Sequence, residues 1–132
     1  MGTRSTVKFY RGTEPILCLY QQYDGYLAGV GVQVAEHLVN YGFVKGREGK
    51  KVAYDFDDWA LLYVLEYKKE PGLVYATDVD DSQEYDYIVT YLSKLNRIIV
   101  EVRSRYGKEK VFFGTEDEYV EFIEKNTGRD IS

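Results

Sequence analysis

The sequence predicts a single α+β domain in which a mainly antiparallel sheet packs against helices, and three observations carry that prediction. Strand-like segments come in runs instead of alternating one by one with helices, which argues against a doubly wound parallel sheet. Three segments carry helical spacing or helix-start chemistry, following Gly29, Asp55 and Thr115. No internal repeat and no long linker divides the 132 residues, a length at which one domain buries roughly two-thirds of its unfolded surface.

The elements follow in the order β-β-α-α-β-β-β-β-α. From Arg4 to Arg11 the residues alternate, Val7 and Phe9 on one side and Lys8 and Tyr10 on the other, which is the period of a strand. Gly12-Thr13-Glu14-Pro15 supplies a turn, and Ile16 to Gln21 returns as the second arm of a hairpin. From Val30 to Tyr41 the spacing becomes helical, with Val30, Val34 and Leu38 on one stripe and Gly42 as the stop. Lys45 to Lys51 is a charged loop free to vary. Asp55 is placed to cap a second helix, with Asp57 and Asp58 where the helix dipole favours negative charge. Trp59 to Leu65 is almost wholly apolar, so this helix is expected to be deeply buried, and Pro71-Gly72 ends it. Four strands follow, at Leu73 to Thr77, Tyr85 to Leu92, Asn96 to Arg105 and Glu109 to Phe113, the last three joined by turns short enough for a meander. Thr115-Glu116-Asp117-Glu118 is a capping box opening the last helix, which Asn126-Thr127-Gly128 stops.

Seventeen basic against 22 acidic residues leave a net charge of −5. That field opposes nonspecific binding to nucleic acid or to an anionic membrane. Apolar residues make up 45% of the chain, enough for a core without disulfide or metal. The one cysteine, Cys18, lies in an apolar run and reads as a small buried hydrophobe, so no oxidising compartment is implied. The first residues lack the apolar stretch of a secretion signal and no segment approaches the ~18 apolar residues of a membrane span, so a cytoplasmic location is expected. Two prolines and one methionine beside many Lys, Glu and Tyr suit a thermophilic source.

Gly2-Thr3-Arg4-Ser5 opening a strand, followed by Tyr20-Gln21-Gln22-Tyr23-Asp24-Gly25-Tyr26, resembles a family of small phage, archaeal-virus and prokaryotic proteins without an established activity. Its members start Gly-Thr-Arg-Ser and carry Tyr-Arg-Gln-x-Asp-Gly-Tyr-Pro-Ser-Gly-His-Gly before a helix. Ala35-Glu36-His37-Leu38, Glu84-Tyr85-Asp86-Tyr87 and Phe113-Gly114 fit more loosely, so residues 2–31 hold the specific likeness. Leu27 stands where the family has proline, Val30 where it has histidine, and Asp57-Asp58-Trp59 replaces its Asn-Gly-Met pattern. The resemblance implies a viral or mobile-element origin, a fold and the location of a site, but no reaction.

That location is the glycine-rich bend from Asp24 to Gly31. A bend between a strand and a helix start offers free backbone N–H groups to an anion, and Arg4 is placed to add a bidentate partner. A ligand set of Arg4, Gln22, Asp24, Gly25, Tyr26, Gly29 and Gly31 is one reading. The other is structural: Asp24 ties the turn, Arg4 pairs with it, and the glycines permit the bend. The Walker A and Rossmann patterns are both missing here. Asp55-Asp57-Asp58 and Asp78-Asp80-Asp81 lack EF-hand spacing and read as a helix start and a polar turn. His37 has no serine, cysteine or second histidine at a telling spacing, so no nucleophile–base pair emerges. No metal or cofactor is expected.

Tyrosine, with 14 copies, is the most unusual feature of the composition. Tyr85, Tyr87 and Tyr91 share one face of a strand whose other face is also apolar, so both faces need covers. The three read as an interface for a second copy or for a host or viral protein, as core under the protein's own helices, or as a base-stacking platform beside Arg97, Arg103 and Arg105; the net charge opposes the last. The expected function is a non-enzymatic binding module that forms homodimers, with a phosphorylated or nucleotide-like ligand or its hydrolysis at the Arg4/Asp24 corner as the alternative.

Overall fold

A computed structural model describes residues 2–43 and 51–131. Among the described residues the strands are β1 (Ser5–Arg11), β2 (Glu14–Gln21), β3 (Tyr41–Gly42), β4 (Lys51–Val52), β5 (Val74–Ala76), β6 (Tyr85–Leu92), β7 (Arg97–Ser104) and β8 (Glu109–Thr115). The helices are α1 (Val32–Asn40), α2 (Phe56–Tyr67) and α3 (Glu116–Thr127), and a π-helical turn, Leu27–Gly31, leads into α1. Six strands form one sheet in the order β5-β2-β1-β6-β7-β8, giving the α+β domain that the strand runs predict.

The sheet is mixed. The β1–β2 hairpin and the β6–β7–β8 meander are antiparallel, but β1 and β6 run parallel, Val7 beside Tyr87 and Phe9 beside Val89. Residues 5–9 are buried throughout, as a strand flanked on both edges must be, and β6 fills the edge that the hairpin leaves open. Parallel neighbours need a long crossover, supplied here by α1, α2 and β5. Residues 41–42 leave the expected helix one residue early and pair in parallel with residues 51–52. Most of the expected charged loop lies outside the described residues.

All three helices cover one face of the sheet. Phe9 meets the edges of Phe56, Trp59 and Tyr63 from α2, and Phe112 of β8 meets Tyr119 and Phe122 of α3. Between them lies α1, with His37 against Trp59 on one side and Gly31 beneath Ile123 on the other. Each large ring taken out of water contributes about 1.5–3 kcal/mol. Asp55 caps α2 through the Asp58 amide at 2.9 Å. The Thr115–Glu118 capping box opens α3, and Gly128, at φ 71°, closes it.

The opposite face is covered in part by the segment between β5 and β6. Thr6 and Ser82 donate hydroxyls to Asp86, and the Cys18 thiol donates to the Asp78 carbonyl at 3.5 Å. Burial pushes that thiol up to about 11, so it holds its proton at neutral pH and is no nucleophile. Asp78 accepts from the Asp80 amide and Asp81 from Thr77, so the second acidic cluster is spent on its own turn.

Candidate functional site

The bend is built from the inside. Asp24 takes φ 60°, a left-handed position that short polar side chains tolerate. The next amide, Gly25, donates to the Thr3 carbonyl at 2.8 Å. Val30 donates to the Asp24 carbonyl at 2.8 Å, while Gly29 and Gly31 both donate to the Tyr26 carbonyl. The bond from Gly31 to Tyr26 spans five residues and makes the turn π-helical. Two buried tyrosines close it from below, Tyr87 donating to the Gly25 carbonyl at 2.7 Å and Tyr119 to the Gly31 carbonyl at 2.8 Å.

Two glycines serve close approach. A Cβ on Gly29 would sit 2.0 Å from the Asp24 carbonyl oxygen, and one on Gly25 would sit 2.7 Å from the Ser5 Cβ. Neither backbone position is left-handed, so what these residues supply is the missing atom.

This geometry takes the proposed ligand set apart. The amides of Gly25, Gly29 and Gly31, offered by the sequence to an anion, are already bonded to carbonyls of the same chain. No ion pair or hydrogen bond joins Arg4 to Asp24. Asp24 accepts instead from the exposed Tyr26 hydroxyl, at 3.3 Å. Arg4 precedes Thr6 and Lys8 on the helix-free side of the sheet and lies by Tyr20, whose hydroxyl burial raises and Arg4 partly lowers. Gln22 is on that side too, accepting from Tyr20 at 2.8 Å. The set is split between two sides of the molecule because residues one apart in a strand point oppositely.

The tyrosine face is also corrected. Tyr85, Tyr87 and Tyr91 point toward the helices, and Tyr87 is 0% exposed, so it is closed to any partner. Tyr85 stacks on Tyr87, and Tyr91 packs on Phe43 and Phe56. Arg97 and Arg103 project from the other face of the neighbouring strand, so no aromatic and basic platform forms. Arg103 is bound to Glu101 at 2.7 Å and Arg105 to Glu109 at 3.3 Å. Tyrosine serves both the core and the surface: Tyr23, Tyr26, Tyr54, Tyr75 and Tyr106 are exposed. Tyr63, Tyr87 and Tyr119 are sealed in, each with a partner for its hydroxyl, and burial raises all three.

His37 is likewise interior. Its Nε2 lies 2.7 Å from the Trp59 carbonyl, Nδ1 has no partner, and burial lowers its pKa to about 4. The ring is a neutral core group with no path to a substrate.

The surface that sequence reasoning missed is the outer side of α2. Phe56, Trp59, Ala60 and Tyr63 face inward, but Leu61 and Leu65, one turn apart, are 58% and 76% exposed. Tyr54, 89% exposed, and Val52, 52% exposed, are further apolar side chains in water just before the helix start. Asp57 and Asp58 stand at one end and Lys68 and Lys69 follow the other. A signal was present. A helix apolar around its whole circumference needs covers on both sides, and one domain of this size supplies one.

No family model matches the chain, and neither a curated protein nor a solved structure matches it significantly.

Proposed function

We propose that this protein is a non-enzymatic interaction module that self-associates. The carrying observation is the Leu61/Leu65 strip, the outward side of a helix whose other side is anchored in the core. Removing a leucine side chain from water is worth about 1.5–3 kcal/mol, and a two-fold pair buries four. Set against the cost of association, a contact limited to one helix face gives a reversible dimer in the micromolar range. The interior placement of Cys18 and His37 gives the strip no chemistry to support and is consistent with a binding role. The cytoplasm suits a chain whose single thiol is buried and protonated. A viral or mobile-element origin rests on the resemblance of residues 2–31 alone, and the genomic neighbourhood of the coding sequence checks it.

Sedimentation equilibrium over a concentration series tests the proposal. Dimer at ~100 μM is the expected result; a strict monomer there refutes it.

A further inference from the structure

At the end of the sheet where β6 begins and β7 turns back into β8, an open cavity of about 520 Å³ is bordered by Glu84, Tyr85, Ser104, Arg105, Tyr106 and Glu109. Its volume lies in the range of small-molecule sites. Tyr85 and Ser104 are partners across the β6–β7 pair, and among the described residues neither hydroxyl has a hydrogen-bond partner. Tyr85 differs in this from its neighbours on the same face of the strand. Tyr87 donates to the Gly25 carbonyl and Tyr91 to the Asn96 side chain.

The turn beside the cavity is made at a conformational cost. Arg105 and Tyr106 have φ of 53° and 59°, and Gly107 follows at 81°. Residues with a Cβ avoid this left-handed region, asparagine and aspartate least. The Lys108 amide donates to the Arg105 carbonyl at 3.3 Å, so Tyr106 and Gly107 are the central pair of a turn that favours Asn-Gly. Tyrosine thus stands where asparagine is less strained, and its ring is 57% exposed, so core packing does not account for it. The segment entering β6 holds the arrangement in place. The Arg105 amide donates to the Glu84 carbonyl at 3.1 Å, and the Tyr106 amide to the Gln83 carbonyl at 3.0 Å. Backbone strain fixed in this way at the rim of a cavity points to a ligand.

We infer that this cavity binds a small organic cation, contacted by the Tyr85 and Tyr106 rings and the Glu84 carboxylate. The site is separate from the α2 surface on which self-association rests. Its charge selects the ligand: two carboxylates face one guanidinium, and Arg105 already pairs with Glu109 at 3.3 Å. Glu84 is left without an ion pair among the described residues, half-buried beside two aromatic rings. An ammonium group gains from the carboxylate and from the negative faces of the rings. A phosphate or carboxylate ligand meets a net negative lining, and the chain's overall charge of −5 acts in the same direction.

Three measurements on the full chain decide it, with choline as the cationic probe and neohexyl alcohol, its uncharged carbon isostere, as the comparison. Choline saturates the protein at low ionic strength with a Kd of ~1 mM or tighter, moving the amide resonances of Tyr85, Ser104 and Tyr106. Neohexyl alcohol leaves those resonances in place. Absence of saturation by ~10 mM choline, or equal binding of the two probes, overturns the inference. So does inorganic phosphate moving the same resonances.

The second measurement separates the site from diffuse attraction to an acidic protein. Glu84→Gln weakens choline binding ~10-fold or more, whereas Glu121→Gln, which removes the same charge from an exposed position on α3, leaves it unchanged. Equal losses in the two variants overturn the inference.

The third tests the turn. Tyr106→Asn supplies the favoured Asn-Gly pair, so the variant melts at a higher temperature than wild type and binds choline ~3-fold or more weaker. The higher melting temperature also shows that the variant folds. Undiminished choline affinity, or a lower melting temperature, overturns the reading of Tyr106 as a strained ligand contact.

Discussion

Replacing His37 by Gln removes the chain's only histidine and with it one proton-linked contribution to stability. In the folded protein the ring is 1% exposed, bonded through Nε2 to the Trp59 carbonyl and tilted against the Trp59 ring at 4.4 Å between centroids. Tyr41 and Tyr63 close the other sides, and no carboxylate shares the pocket to stabilise an imidazolium. Desolvation lowers the pKa from 6.5 to about 4. The unfolded chain binds the proton below about pH 6.5 and the folded chain only below about 4. Stability is therefore complete above that window and falls as pH drops through it. At about 1.4 kcal/mol for each tenfold change, the loss across the window reaches about 3 kcal/mol. Gln retains a donor for the Trp59 carbonyl and does not titrate. Urea unfolding at a series of pH values from 7 to 4 checks this: wild type loses about 3 kcal/mol more than His37→Gln. Identical pH profiles for the two proteins would refute the reasoning, as would an NMR titration placing the ring near 6.5 in the folded state.

Two further predictions concern the bend. Gly29→Ala places a methyl group against the Asp24 carbonyl and forces the turn apart, costing about 2–3 kcal/mol, read as a lower melting temperature. Tyr87→Phe leaves the Gly25 carbonyl buried without its donor and costs about 1–3 kcal/mol in urea unfolding, without changing the dimer constant.

Much of the fold was legible in the residues because the signals were local. The period of two in residues 4–11, the Asp55 cap, the Thr115–Glu118 box and the Gly128 stop each act within a few residues of themselves. Each appears in the structure at or near its expected place. The β6 boundaries agree because Tyr85 to Leu92 is bounded by polar turns on both sides. The parallel β1–β6 contact was not legible, since a strand's second neighbour depends on where some 70 intervening residues return, not on the strand itself. For the same reason the apolar run in α2 predicts burial on all sides while the structure leaves Leu61 and Leu65 exposed: composition shows that a helix needs cover but not how many sides its own domain can reach.

The candidate site divides along the same line. The glycines at 25 and 29 mark a place of close approach, and the sequence alone determined that the chain must turn tightly there. Tertiary structure decided what approaches: the chain's own carbonyls and two buried tyrosine hydroxyls, leaving Arg4 on the other side of the sheet. Turn and cap chemistry is short-ranged and written in neighbouring residues. Which face of a strand or helix meets water is settled only when distant elements have taken their share of the core, and here that leaves Leu61 and Leu65 outside.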